Sequence, residues 1–117
     1  MTTSLKHNIS LSFIFLTCIF LALPGGTADA SELAAGKAKA EAICQTCHGM
    51  DGRGTMPMVA NIGGQQEDYI IGQLKAYKSG RRKHEQMSII VQSLSDDDVR
   101  NVAKWYSSVK VTFKAPE

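Results

Sequence analysis

The sequence predicts a small all-α fold, on three observations. Apolar residues recur at helical spacing in three stretches: Ser31 to Cys47, Gln66 to Gly80 and Leu94 to Lys110. No stretch of the sequence shows the apolar–polar alternation that is typical of a half-buried strand. Long loops join the helical stretches, so a chain this short has few side chains left to fill its centre. We therefore predict three to four helices with long loops around something other than side chains.

Residues 1–30 have the pattern of a secretory signal peptide. Ile9 to Leu23 is almost unbroken apolar sequence, and it is shorter than the roughly 20 residues of a membrane span. Pro24 ends this run, and "TADA" then supplies the A-x-A pattern that precedes a cleavage site. We predict that residues 1–30 are cleaved and that residues 31–117 form one exported domain, with an uncleaved N-terminal anchor as the alternative.

Charge and cysteine content narrow the function classes. The formal net charge is only +2, which is too small to indicate a nucleic-acid partner. Of the three cysteines, Cys18 lies in the predicted signal peptide. Cys44 and Cys47 are therefore the only thiols expected in the exported domain.

The first predicted helix begins with Ser31 as its N-cap and carries Glu32 in its first turn, where the helix dipole favours an acidic side chain. Its buried stripe follows helical spacing and consists of Leu33, Ala40, Ile43 and Cys47. A glycine-rich run after His48 ends the helix. The following stretch, Thr55 to Gly64, has no periodicity and is predicted to be an ordered loop.

The other two helices show clear apolar stripes and end signals. In the second, Ile70, Leu74 and Tyr77 are spaced to share one face, and Gly80 ends the helix. In the third, Ser95 and Asp98 have the spacing of a capping box. Its inner stripe consists of Val99, Val102, Tyr106 and Val109, with Trp105 beside it.

The segment "CQTCH", Cys44 to His48, is the candidate functional motif, and it permits three kinds of site. A structural zinc site would need a second pair of Cys or His ligands, which the exported domain lacks. A redox-active dithiol would follow a strand and open a helix, whereas this pair closes a helix. C-x-x-C-H is the signature of a covalent c-type haem, in which Cys44 and Cys47 form the thioethers and His48 binds the iron.

With these residues in view, the chain resembles the small class I cytochromes c of bacterial periplasms. The resemblance covers Leu33 to Ser108 and is carried by "CQTCHGMDGRG", "GQQEDYIIGQLKAYKSGRR" and "LSDDDVRNVAKWY" in the order that the family shows. It implies the class I cytochrome c fold around one covalent haem, with the first and last helices crossing beside it. Gly36 and Trp105 match the small and aromatic residues of that crossing. A glycine at position 36 costs the helix about 1 kcal/mol relative to alanine, which also indicates close helix contact there.

Met87 is the expected sixth ligand of the haem iron. It lies past the second helix and shortly before "LSDDD", which matches the ligand position of the family. Met50 is too near His48 to reach the opposite haem face. The alternatives left open are His84, otherwise a solvated loop residue, and another methionine, Met56 or Met58, or an open site.

One departure from the family concerns the residue that orients His48. The family has proline twelve residues after the haem histidine, whereas this chain has Ala60 there. Alanine still offers a carbonyl group to the ring N–H of the histidine, but the loop is expected to be less rigid.

The resemblance implies a soluble one-electron carrier of the periplasm and not an enzyme. Its partners would be redox proteins such as a terminal oxidase or a dehydrogenase, and we expect a monomer without stable membrane insertion after signal cleavage. The basic residues Arg81, Arg82 and Lys83, with Lys78 before them, form a candidate docking patch. Two alternatives are a haem subunit that accepts electrons within a periplasmic dehydrogenase complex, and a haem-based ligand sensor.

Overall fold

The computed structural model describes residues 27–117, and most of the predicted signal peptide lies outside this range. Within it the chain is helical with long loops, and no strand occurs there. The α-helices are α1 (Ala28–Lys39), α2 (Gln45–His48), α3 (Glu67–Lys78), α4 (Met87–Ile90) and α5 (Asp96–Ser108). A π-helical turn (Ala40–Cys44) joins α1 to α2, and a 3₁₀ turn (Val91–Ser93) follows α4. The predicted all-α class is therefore confirmed.

The first helix starts earlier than predicted, so the prediction of Ser31 as its N-cap is wrong for this chain. The helix begins at Ala28, and Thr27 is its N-cap without a side-chain capping bond. Ser31 lies within the first turn, where its hydroxyl donates to the Ala28 carbonyl at 2.7 Å. Alanine has the highest helix propensity, so the alanines before Ser31 extend the helix. Whether the chain is cleaved after Ala30 stays a prediction.

The crossing of α1 and α5 is the main packing contact of the fold. Gly36 is buried where the two helices touch, and a Cβ atom added there would lie 1.9 Å from the Asn101 carbonyl oxygen and 3.1 Å from Trp105 Cβ. Lys39 on α1 forms a salt bridge of 3.0 Å with Asp98 on α5. The close contact predicted from Gly36 is confirmed.

The apolar core lies between α5, α3 and the turn of helix that ends α1. Ile70, Leu74 and Tyr77 are all buried, as their spacing predicted. The largest fully buried side chains are Tyr106, Val91 and Val99. Half-buried Cys44 and Met87 both pack against this core, which brings two elements far apart in sequence to its edge.

No helix within residues 27–117 has the length and apolar character to span a bilayer.

The capping box of α5 is present as predicted. Ser95 Oγ accepts the backbone N–H of Asp98 at 3.0 Å, and the Asp98 carboxylate accepts the backbone N–H of Ser95 at 3.0 Å. The bond from the Ser95 N–H lowers the pKa of the Asp98 carboxyl group, with a smaller contribution from Lys39.

We expect Asp98→Asn to destabilise the protein at neutral pH only. The folded-state pKa of Asp98 lies below the unfolded value of about 3.9. The ionised carboxylate therefore adds to the free energy of unfolding above that pH, and this addition is lost as the pH falls through the folded-state pKa. At pH 7 the substitution should lower the free energy of unfolding by less than about 1 kcal/mol, because Asp98 is partly exposed. Urea unfolding from pH 7 to pH 2.5 measures it.

Asp97→Asn is the matched control, because Asp97 lies in the same helical turn and pairs with Arg100 on the surface. Its stability should track that of the wild type at every pH. An Asp98→Asn deficit that persists unchanged at pH 2.5 would contradict the assignment of the effect to the ionised carboxylate.

Candidate haem site

The C-x-x-C-H motif lies at the end of one continuous helical segment. Cys44 is the last residue of the π-helical turn, and Cys47 and His48 lie on α2. Both cysteines are half-buried and neither forms a disulfide. Gly49 follows with a φ angle of 66°, a left-handed conformation that glycine adopts without strain, and it ends the helix.

The π-helical turn was not predicted, and its last residue, Cys44, is the first residue of the motif. Its widened hydrogen bond runs from the Gln45 backbone N–H to the Ala40 carbonyl. Such turns are rare and often occur at functional sites, where the extra residue rotates the following side chains about the helix axis. Cys44 is the last residue of the turn, and Cys47 and His48 follow it, so the turn affects the direction in which the motif faces.

The environment of Cys44 argues against a reactive dithiol. Burial raises the pKa of the Cys44 thiol to about 11, although Lys39 acts in the opposite direction. Thiol–disulfide oxidoreductases need the reverse, because the thiolate is the nucleophile and a lowered pKa populates it. The apolar setting of Cys44 instead suits a thiol that becomes a buried thioether.

His48 is held by the carbonyl group of Ala60. The ring Nδ1 lies 2.9 Å from the Ala60 oxygen, which is the carbonyl twelve residues later in the chain. The only role open to a carbonyl oxygen is acceptor, so Nδ1 carries the proton and Nε2 is the nitrogen available to a metal. Replacement of the family's proline by alanine has therefore kept the hydrogen bond that orients the histidine.

The loop after the motif is hydrogen-bonded back to α2, the helix that precedes it. The Thr55 backbone N–H donates to the Cys47 carbonyl at 2.8 Å, and the Thr55 hydroxyl lies 3.0 Å from the same oxygen. Gly52 packs so closely on the loop that an added Cβ would lie 2.1 Å from the Gly63 nitrogen. This loop carries Ala60, so these contacts help to place the carbonyl that holds His48.

Two aromatic residues of α5 hold the chain just beyond His48. Trp105 Nε1 donates to the Met50 carbonyl at 3.1 Å, and the Tyr106 hydroxyl donates to the Gly49 carbonyl at 2.9 Å. Burial raises the pKa of the Tyr106 phenol above its usual range, so it remains a neutral donor. The helical spacing of Trp105 and Tyr106 predicts packing roles only, and these two hydrogen bonds are additional to it. A buried tyrosine usually needs a partner for its hydroxyl, and this requirement was the available signal.

The four methionines of the predicted exported domain differ in their surroundings. Met50 and Met87 are half-buried and pack against the core, whereas Met56 and Met58 are exposed, at 51% and 101%. Met87 is the first residue of α4, and Cys44 borders the same core.

Three of the four basic residues in the candidate docking patch are engaged with neighbouring groups. The Arg82 guanidinium lies 4.6 Å from the centroid of the Tyr77 ring and donates to Gln73 Oε1 at 2.5 Å. The Lys78 ammonium group donates to the Leu94 carbonyl. Arg81 and Lys83 are exposed on the loop that follows α3, and Arg81 Nε donates to the Ser79 hydroxyl at 3.3 Å.

The donor set fits a c-type haem. Two half-buried thiols three residues apart can each reach a vinyl group, and His48 follows directly with its Nδ1 already occupied. Because the carbonyl of Ala60 accepts from that nitrogen, the ligand has the outer hydrogen bond that metal-bound histidines typically carry.

Comparisons with known proteins show which family the chain resembles. The family model named Cytochrome c matches residues 33–110. Cytochrome c4 of Pseudomonas aeruginosa is 37% identical over 92 residues, which cover 79% of this chain and 45% of that protein. Cytochrome c-554(548) of Halomonas halodenitrificans is 40% identical over 82 residues, which cover 68% of this chain and 98% of that protein. A thiosulfate dehydrogenase electron acceptor of Stutzerimonas stutzeri is 35% identical over 69 residues, which cover 56% of this chain and 32% of that protein. The chain thus spans less than half of the matched cytochrome c4 and nearly all of the matched cytochrome c-554(548).

Proposed function

Because the chain belongs to the cytochrome c family, whose members carry a covalently bound c-type haem, we propose that it is a one-electron carrier between redox proteins of the periplasm. The observation that carries this proposal is His48, whose ring is oriented by Ala60 at the end of the C-x-x-C segment. Cys44 and Cys47 would form the thioethers to the haem, and His48 and Met87 would bind its iron. The first thirty residues would direct export and then be removed.

The roles of the residues follow from this assignment. When bound, the haem supplies a one-electron iron couple. Cys44 and Cys47 would anchor it, and the Ala60 carbonyl would keep the His48 ring in one orientation and increase its donor strength. Met87 would contribute a soft sulfur ligand, which favours the reduced state relative to a second histidine. With His48 and Met87 both on the iron, no position remains for a substrate, so the protein would have no reaction of its own.

A second candidate function is that of an electron-accepting subunit of a dehydrogenase. The similarity to the thiosulfate dehydrogenase electron acceptor of Stutzerimonas stutzeri favours it. The same residues would hold the haem in either role, so only the partner distinguishes them. Stable co-purification with a dehydrogenase would select the subunit, and independent reduction and reoxidation would select the free carrier.

Intact mass spectrometry of the exported holoprotein tests the cofactor and the export proposal together. We expect the mass of residues 31–117 plus one haem, and the haem should survive denaturation and acid extraction, because thioether bonds are covalent. A protein with two free thiols and no added mass would overturn the haem assignment. A chain that retains residue 1 would overturn the cleaved signal and favour an N-terminal anchor.

The exposed basic residues Arg81 and Lys83 are the proposed docking charges for an acidic partner. They lie on the loop between α3 and α4, and α4 begins with Met87. The net charge of +2 is too small to steer association by itself, so an attraction must come from the local patch. Arg82 and Lys78 are already engaged by Tyr77 and Leu94, and changing them would also disturb packing.

Arg81→Glu combined with Lys83→Glu should slow electron transfer severalfold at low salt. The difference should shrink near physiological ionic strength, where the screening length is about 8 Å. Stopped-flow rates with the native partner across a salt series measure this. Lys110→Glu combined with Lys114→Glu is the charge-matched control on the C-terminal segment. Equal slowing in both double variants would show that overall charge, and not this loop, governs docking.

A further inference from the structure

A group of hydrogen bonds surrounds the turn that carries Met87. The residues that form these bonds line one groove between the end of α3 and the start of α4. They are Lys78, His84, Ser88 and Gln92. The sequence predicts that His84 is a solvated loop residue, with iron ligation as an alternative. Its side chain is indeed exposed, but the ring is hydrogen-bonded to the backbone of the turn that follows.

The His84 ring accepts hydrogen bonds from backbone N–H groups at the start of α4. Its Nδ1 accepts the backbone N–H groups of Gln86 and Met87, at 3.3 and 3.4 Å. These groups have no partner within the helix, because the first turn of any helix leaves its N–H groups unpaired. His84 thereby performs the role of an N-cap side chain from two residues before the N-cap, Gln86.

Ser88 forms two hydrogen bonds with the backbone of His84. Its hydroxyl accepts the His84 backbone N–H at 3.0 Å, and its own N–H donates to the His84 carbonyl at 3.0 Å. Bonds in both directions between the same two residues fix the backbone that lies between them. Met87 is one of the residues inside this closed turn.

Gln92 connects the turn to the rest of the fold. Its Nε2 group donates to the Ser88 carbonyl at 3.1 Å and to the Lys78 carbonyl at 3.3 Å. Lys78 is the last residue of α3, and its ammonium group donates to the Leu94 carbonyl just before α5. The Met87 turn is therefore tied to two of the helices that form the core.

We propose that His84 is a positioning residue that keeps Met87 in reach of the haem iron. The inference rests on the proposed ligation by Met87. One of the two N–H groups that His84 accepts belongs to Met87, so the bond restrains the backbone of the ligand residue directly. Loss of the ring nitrogen would increase the population in which the turn is open and the methionine is off the iron. An external ligand would then compete more successfully for that position.

Imidazole binding to the oxidised holoprotein tests the proposal, because imidazole must displace the methionine. His84→Ala should raise the apparent imidazole affinity about fivefold, the equivalent of one lost cap. His84→Asn should restore most of the wild-type affinity, since its side-chain oxygen can occupy the place of Nδ1. Glu85→Ala is the matched control on the same turn, exposed like His84, and should bind as the wild type does.

Imidazole binding by Met87→Ala shows whether a negative result concerns the role of His84 or the ligation of the iron by Met87. If Met87→Ala binds imidazole much more tightly than the wild type and His84→Ala does not, the ligation holds and the role of His84 is overturned. If Met87→Ala binds imidazole as the wild type does, the ligation itself is wrong. Should His84→Ala fail to fold, Ser88→Ala removes the other side of the turn and should give the same rise. A lowered melting temperature with unchanged imidazole affinity in either variant would also overturn the inference.

Discussion

Gly36→Ala is expected to destabilise the holoprotein by about 3 kcal/mol, although alanine is the better helix former by about 1 kcal/mol. The added Cβ would lie 1.9 Å from the carbonyl oxygen of Asn101, a backbone atom that no rotamer change can move away. The two helices must therefore separate, and their contact is the main one in the fold. Guanidinium unfolding followed by far-UV circular dichroism measures the loss.

Gly72→Ala provides the matched control within α3. Apart from its two chain neighbours and the adjacent backbone of α3, no atom of the described residues lies within 4 Å of a Cβ built at Gly72. The same substitution should there stabilise the protein by up to about 1 kcal/mol, because only helix propensity changes. Equal effects of the two substitutions would show that the helices can move apart at Gly36 without cost, which would contradict the packing argument.

Met87→Ala is expected to leave the haem attached while abolishing the sulfur–iron charge-transfer band and lowering the reduction potential. Attachment depends on Cys44 and Cys47, whereas the band requires a methionine sulfur on the iron. Axial ligands set haem potentials over a range of about 0.8 V, so losing the sulfur should produce one of the largest shifts available to a single substitution. Absorption spectra of the oxidised protein and a redox titration measure both quantities.

Met58→Ala is the control for this prediction, since Met58 lies on the loop after the motif and is exposed. It should retain the band and a potential close to that of the wild type. A band that survives in Met87→Ala and disappears in Met58→Ala would move the sixth ligand to the loop between Thr55 and Gly64.

Local patterns were sufficient to predict the helices and the motif. Ile70, Leu74 and Tyr77 are buried because residues at these spacings share one helix face, whatever packs against it. The capping box of Ser95 and Asp98 formed because both partners lie within one turn. The start of α1 was misplaced because alanine propensity allowed the helix to extend past the apparent cap.

The sequence by itself determined the all-α class, the apolar stripes and the C-x-x-C-H motif, because each depends on residues only a few positions apart. Only the tertiary structure decided which groups support the site. The family resemblance offered the Ala60 carbonyl as a partner for His48, and the fold brings the two together. The bond from Tyr106 to the backbone after His48 crosses loops whose path no local pattern encodes. The π-helical turn that ends at Cys44 and the hydrogen bonds of His84 likewise became visible only in the fold. A hydrogen bond between distant residues depends on the packing of whole helices, and that packing is settled by the sum of all core contacts rather than by any single segment.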